Sequence, residues 1–406
     1  MKLKALFFII VILQGLFIQL SAQQIKYVVS PDNNFSGISN FSEGLARVSI
    51  SYDSTGFIDT TGKFAFSNKF EYAGDFHCGW AYVRKATDGK SKFGFIDNSG
   101  RLVIPYIYDE VEDFSCNRAL VNDDGIWKVI DKYGTVVMND SLLMTETEII
   151  DVSAESKRWE DTEPPQFFDG LMQVRTSEKY GYADTSGNIV IPCSYYSASY
   201  FSDGVAIVAA DTIDGGLRYK GFNTLDNLYN SLPPGPREYR WSIINTVGHV
   251  VFKVDGNYSL DLNRGFSNRL LPVQDSLGRW GFINTTGKVV IMPQFYNEPQ
   301  SFSDGISIIQ VNGKQDGYIL LVNTLGNIVS KIPFCNQYGC IYDSNFAFYE
   351  GLLAVKVDDK WGYMDIHGTL VIPPQFDTAL DFHDGRAVVV TSDGKVAVIV
   401  NPLRAY

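Results

Sequence analysis

Six carboxylates recur in one setting. Glu43, Asp169, Asp203, Asp304, Glu350 and Asp384 each hold the third position of a Phe-x-Asp/Glu-Gly tetrapeptide. Units stacked in register would turn them into a ladder of hard oxygen donors, the ligand type that Ca²⁺ takes. The competing role is local, because a turn carboxylate accepts backbone N–H groups and caps its own turn. No Asp-x-Asp-x-Asp-Gly run gathers ligands in one loop. Capping is therefore expected, with no metal and no cofactor.

The remaining reactive residue types are sparse. His77 and His383 follow the phenylalanine of that same tetrapeptide, and His249 and His367 flank turn glycines. They read as turn residues. The chain has no His-Glu-x-x-His, no phosphate-cradling glycine loop and no Gly-x-Ser-x-Gly elbow. No catalytic residue is assigned. A non-enzymatic protein is expected, with a hydrolase using an acidic pair as the remote alternative.

Two further residue types offer binding or cross-linking. Trp127, Trp241, Trp280 and Trp361 share one repeated position. They are either a stripe of platforms for sugar rings or a packing position, and packing is expected because an indole buries a large apolar area. Trp80 and Trp159 lie outside that position, Trp159 being the candidate for exposed contact. Among five cysteines, Cys335 and Cys340 are close enough in sequence to close a small disulfide loop. Cys78 and Cys116 replace the acid of the tetrapeptide in consecutive units, FHCG and FSCN, and form a second candidate pair. That pairing needs the two turns to lie about one strand spacing apart. Cys193 would be left over; a set of unpaired thiols is the other reading.

What positions these residues is a repeat. The phrase Gly-aromatic-x-Asp/Asn-x-x-Gly runs from Gly56, Gly94, Gly181, Gly281 and Gly362, with looser copies at Trp127–Gly134, Trp241–Gly248 and Ile319–Gly326. A worn ninth copy, Val396–Asn401, closes the chain. The phrase and the tetrapeptide alternate in constant order. Each unit translates into strands: an alternating run after the tetrapeptide, an aromatic-rich run, an Asp-capped turn ending in Gly, and a run such as TLVI that ends at Pro373. One such meander cannot bury its apolar face alone, so the units must stack. Closing-glycine spacings of 53 and 61 against 34 to 42 elsewhere mark insertions at 140–165 and 211–240.

At Lys360-Trp361-Gly362-Tyr363, Arg279-Trp280-Gly281-Phe282 and Lys179-Tyr180-Gly181-Tyr182, each followed by a run such as Val371-Ile372-Pro373 or Val190-Ile191-Pro192, the chain resembles the WG or KWG repeat family of bacterial proteins. Phe93 and Gly94 followed by Val103-Ile104-Pro105 keep the frame without the tryptophan. The resemblance covers residues 37–404. It implies a β-repeat architecture and a binding or scaffolding role, and no defined catalytic activity.

The ends and the charge suggest a compartment. Lys2 and Lys4 precede the apolar run Ala5–Leu20, and Leu20-Ser21-Ala22 offers a cleavage site before Gln23. This has the form of a secretory signal peptide over 1–22, the alternative being an uncleaved anchor. Residues 23–36 then read as a linker. The formal charge of −12 disfavours nucleic acid and anionic membrane surfaces as partners. The expectation is an all-β array of about nine meanders in a curved solenoid or superhelix, with propeller-like closure as the alternative. It would be exported, whether secreted, periplasmic or on the cell surface, with no membrane insertion after signal cleavage. Its partner would be a protein, or failing that an envelope glycan.

Overall fold

The computed structural model describes residues 25–404, apart from 88, 140–165, 177–178, 214–237, 255–257, 261–263, 312–316, 334, 337–338 and 345–346. The expected signal segment 1–22, the whole of the first insertion and most of the second lie outside the described residues, as does Trp159.

The described chain is β throughout, in nine antiparallel sheets. Blade 2 shows the pattern: a short strand Tyr72–Ala73, then Trp80–Thr87, Lys90–Asp97 and Leu102–Tyr108, hydrogen-bonded in that order. Consecutive sheets meet face to face, and a cluster of buried apolar side chains fills each junction. Phe57, Phe70 and Phe76 lie between blades 1 and 2; Phe95, Ile104 and Phe114 lie between blades 2 and 3.

Closure is decided at the ends. Tyr27–Val29 pairs antiparallel with Val396–Val400, Tyr27 opposite Ile399 and Val29 opposite Val398. The segment read as a linker thus supplies the fourth strand of blade 9, whose other strands are Thr378–Ala379, Arg386–Val390 and Val396–Val400. A ninth apolar cluster, with Val48 and Ile58 against Val29, Val388 and Val398, seals blade 9 to blade 1. The array is a nine-bladed β-propeller. The open solenoid is not formed, and the alternative of closure is. Its physical advantage is that pairing and packing the two end units leaves no terminal unit with an uncovered face.

The repeated phrase has a specific packing cause. Trp361 stands opposite Phe376 and Tyr363 opposite Ile372, so the intervening Gly362 faces a bulge containing Pro373 and Pro374. A Cβ on Gly362 would lie 2.5 Å from the Ile372 carbonyl oxygen. Gly94, Gly181 and Gly281 meet Ile104, Ile191 and Ile291 in the same way, at 2.4, 2.5 and 2.4 Å. The backbones approach too closely for any side chain. Pro373 does not end its strand, as its missing N–H suggested; the strand runs from Leu370 to Phe376. The bulge places the proline where no ladder donor is required.

Candidate functional site

Each Phe-x-Asp/Glu-Gly tetrapeptide is a tight hairpin turn at the start of the blade's second strand, as the bridge from His383 to Arg386 shows. Asp384 has φ of 52° and Gly385 of 75°. Two successive positive-φ residues make a type I′ turn, which Asp or Asn followed by Gly tolerates best. Glu43, Cys78, Asp169, Asp203, Asp304 and Glu350 share the positive φ.

Their carboxylates do not cap their own turns, nor do they form a metal ladder. Each reaches the turn of the next blade. Glu43 accepts the Gly79 N–H at 2.7 Å, Asp169 that of Gly204 at 2.8 Å, Asp203 that of Arg269 at 2.7 Å and Asp304 that of Gly351 at 2.9 Å. Glu350 accepts from Gly385 at 2.9 Å and Asp384 from Gly44 at 2.8 Å; Asn268, in the same slot, accepts from Gly305 at 3.0 Å. A second strand of contacts runs alongside, with Ser42 donating to the Phe76 carbonyl at 2.6 Å. The Ser202, Ser267 and Ser303 hydroxyls make the equivalent bonds to Phe266, Phe302 and Phe348. The expected capping role was right in kind, a carboxylate on a backbone N–H, and wrong in address. Side-chain reach from one turn to the next requires blade closure, which a single unit cannot reveal.

The second turn carries the local caps. Asp365 accepts from the His367 and Thr369 N–H groups, both at 2.9 Å. At Asp59, Asp97, Asp131 and Asp184, partial burial pushes the carboxyl up. The hydrogen bonds from the turn outweigh it and hold each below the usual carboxylate range.

The shared tryptophans are packing residues. Trp127 is buried among Leu120, Val129 and Met138. Trp241, Trp280 and Trp361 are half-buried against Phe266, Ile291 and Phe376 in their respective clusters. Cys78 and Cys116 are unpaired thiols, as is Cys193, so the second candidate disulfide is not formed. The turns are spaced for a carboxylate to reach a backbone nitrogen, and two cysteine side chains do not span that gap. Cys335 stands directly opposite Cys340 in a short antiparallel pair; their side chains lie outside the described residues.

Acidic groups converge at two places. Burial pushes the Asp113 and Glu112 carboxyls up, with Asp75 adding to the effect on Asp113 and His77 and Arg47 opposing it. His77 Nε2 lies 3.5 Å from Asp113 and Arg47 Nε 3.5 Å from Asp75. The cavity beside Glu112 and Asp113 has about 10 Å³, room for one water rather than a substrate. Asp109, Asp123 and Asp124 also gather. Lys92 pairs with Asp109 at 2.7 Å and Lys128 with Asp123 at 2.8 Å, so the group is already charge-compensated.

The antiparallel order fixes which end of the propeller each loop occupies. Both turn types fall at one end. The hairpins between second and third strands, and the links between blades, fall at the other. The first insertion follows Val136–Asn139, the last strand of blade 3. The second joins Val205–Ile213 to Glu238–Asn245 within blade 5. Both depart from the end opposite the turn ring. Sequence periodicity located the insertions; their shared end needed the strand directions.

The family described as WG containing repeat matches residues 56–90, 93–127, 180–210, 280–314, 339–361 and 361–395. A search of curated proteins gives no match. Among solved structures, one described as a eukaryotic initiation factor aligns over 93% of this chain and 94% of its own at 10% identity and a TM-score of 0.50. BamB from Moraxella catarrhalis aligns over 95% and 96% at 12% identity and a TM-score of 0.35. The Dos1 propeller aligns over 80% and 90% at 11% identity and a TM-score of 0.33. At these identities the likeness extends to the fold alone.

Proposed function

Because this chain is a WG repeat protein closed into a nine-bladed propeller, we propose that it is an exported, non-enzymatic scaffold that binds a protein partner on the end opposite the turn ring. The carrying observation is where the repeats differ in length. At the turn-ring end the turns are short and linked blade to blade. Both long insertions leave from the opposite end, in blades 3 and 5. Individuality confined to loops on one face of a rigid repeat scaffold is the usual arrangement of a recognition surface. The glycan alternative loses its motivating residues, since the shared tryptophans are spent on packing between blades.

The test is capture from an envelope extract with the mature protein and with a variant in which 214–237 is replaced by a short Gly-Ser hairpin. A defined protein retained by the first and lost from the second supports the reading. Equal retention by both, or saturable binding to a glycan array with no protein captured, overturns it.

A further inference from the structure

An open cleft of about 400 Å³ lies where blade 1 meets blade 2, lined by Asp53, Asn68, Lys69, Arg84, Lys85 and Tyr106 among others. Its volume falls in the range of small-ligand sites, roughly 300–1,000 Å³. In a chain with a formal charge of −12, three cations line this one recess. None of Lys69, Arg84 and Lys85 makes an ion pair among the described residues. Of the two acids present, Glu71 is engaged, accepting the Ala86 N–H at 3.0 Å.

Two of the three cations are held by aromatic rings instead of by acids. The Lys69 ammonium lies 3.3 Å from the centre of the Phe64 ring, and the Arg84 guanidinium 5.4 Å from that of Tyr72. Rings fix a cation's position without neutralising it, which leaves the charge available to an incoming anion. Arg84 Nε is shut off from water and has no hydrogen-bond partner. A buried N–H donor without an acceptor is costly, and with Nε enclosed it is the terminal N–H groups of Arg84, which lines the cleft, that are left to bind an oxyanion there. The orphaned Nε is not sufficient alone. Arg175 occupies the equivalent slot of blade 4, lies 5.1 Å from the Tyr180 ring and has the same unpartnered Nε. It is not among the residues that line this cleft, and so it serves as an internal control.

We propose that this cleft binds a small organic oxyanion, a carboxylate or a phosphate ester, with Arg84 and Lys69 holding the anionic group and Lys85 completing the charge. Tyr106, half-buried beside them, supplies a flat apolar wall for the organic body. The cleft opens at the same end of the propeller as the protein-binding face proposed above, because Asp53 lies in a second-to-third-strand hairpin and Lys69 in a link between blades, but the anion site does not rest on that reading.

Isothermal titration of the full mature chain with citrate, phenyl phosphate and inorganic phosphate, at constant ionic strength, tests this directly. Saturable binding of at least one probe is expected. It should weaken at least tenfold in Arg84→Gln, several-fold in the exposed-site variant Lys85→Gln, and stay unchanged in Arg175→Gln. Preference for citrate would assign a carboxylate and preference for phenyl phosphate a phosphate ester, and either supports the site. No saturable binding by any probe to the wild-type chain overturns the proposal. So does binding that survives in Lys85→Gln and Arg84→Gln, or that Arg175→Gln weakens equally.

Discussion

The Asp384 carboxylate of the last blade accepts the backbone N–H of Gly44 in the first, at 2.8 Å, across 340 residues of sequence. It is the same bond that Glu43 makes to Gly79 one blade further on, at 2.7 Å. The ring therefore closes with its own repeat contact, the one that also joins the internal blades whose turns carry an acid.

Asp384→Ala should weaken that junction and leave the Gly44 N–H to water. The contact is exposed, so the expected loss is about 1 kcal/mol, with Asp384→Asn recovering most of it through its amide oxygen, as Asn268 does toward Gly305. Chemical denaturation of the three proteins measures the difference. Equal midpoints for wild type and Asp384→Ala would show that the ring bond carries no stability.

Gly362→Ala should cost more, although alanine is a small residue. The added Cβ falls 2.5 Å from the Ile372 carbonyl oxygen and 2.7 Å from the Pro374 nitrogen, both backbone atoms that cannot swing away. Overpacking of this kind costs about 1–3 kcal/mol. A thermal midpoint within error of wild type would refute the close-approach account of the Trp-Gly phrase.

The two cysteine turns are places where the ring lacks its carboxylate. Cys78 has φ of 55°, like its acidic counterparts, and is exposed. Cys78→Asp should let the new carboxylate reach toward the blade 3 turn and raise stability by about 0.5–1 kcal/mol. Cys78 in the wild-type chain should react with a thiol reagent without prior reduction. A destabilised Asp variant, or a Cys78 protected until reductant is added, would contradict this arrangement.

Acid should attack the second turns. Asp59, Asp97, Asp131 and Asp184 have folded-state values below the unfolded ones. The stability they contribute is therefore complete above the ordinary carboxylate range and lost as pH falls through the depressed folded values. Asp113 and Glu112 act with the opposite sign, since burial raises them and protonation relieves a cost. The denaturation midpoint should hold from neutral pH to about 5 and fall steeply below about 4. Replacing Asp97 and Asp184 by Asn should flatten the fall; an unchanged acid limb would remove the turn carboxylates from the explanation.

Much of this protein is written locally. The nine units, the Asp-capped turns and the close-approach glycines all follow from residue types within about forty positions, because hairpins and turns are set by short-range sterics and hydrogen bonding. Trp361, Trp280 and Trp241 could be read as packing residues for the same reason. Three things were decided only by the tertiary structure. The carboxylate of Asp384 points to Gly44, a partner that its own turn does not contain. The segment at Tyr27–Val29 carries no repeat signature, yet it completes blade 9. The cleft with Lys69 and Arg84 exists because two blades meet there. The local code specifies each sheet, whereas closure depends on the angle accumulated as side chains pack at every junction. That sum is a property of all nine clusters together, and no single copy of the phrase contains it.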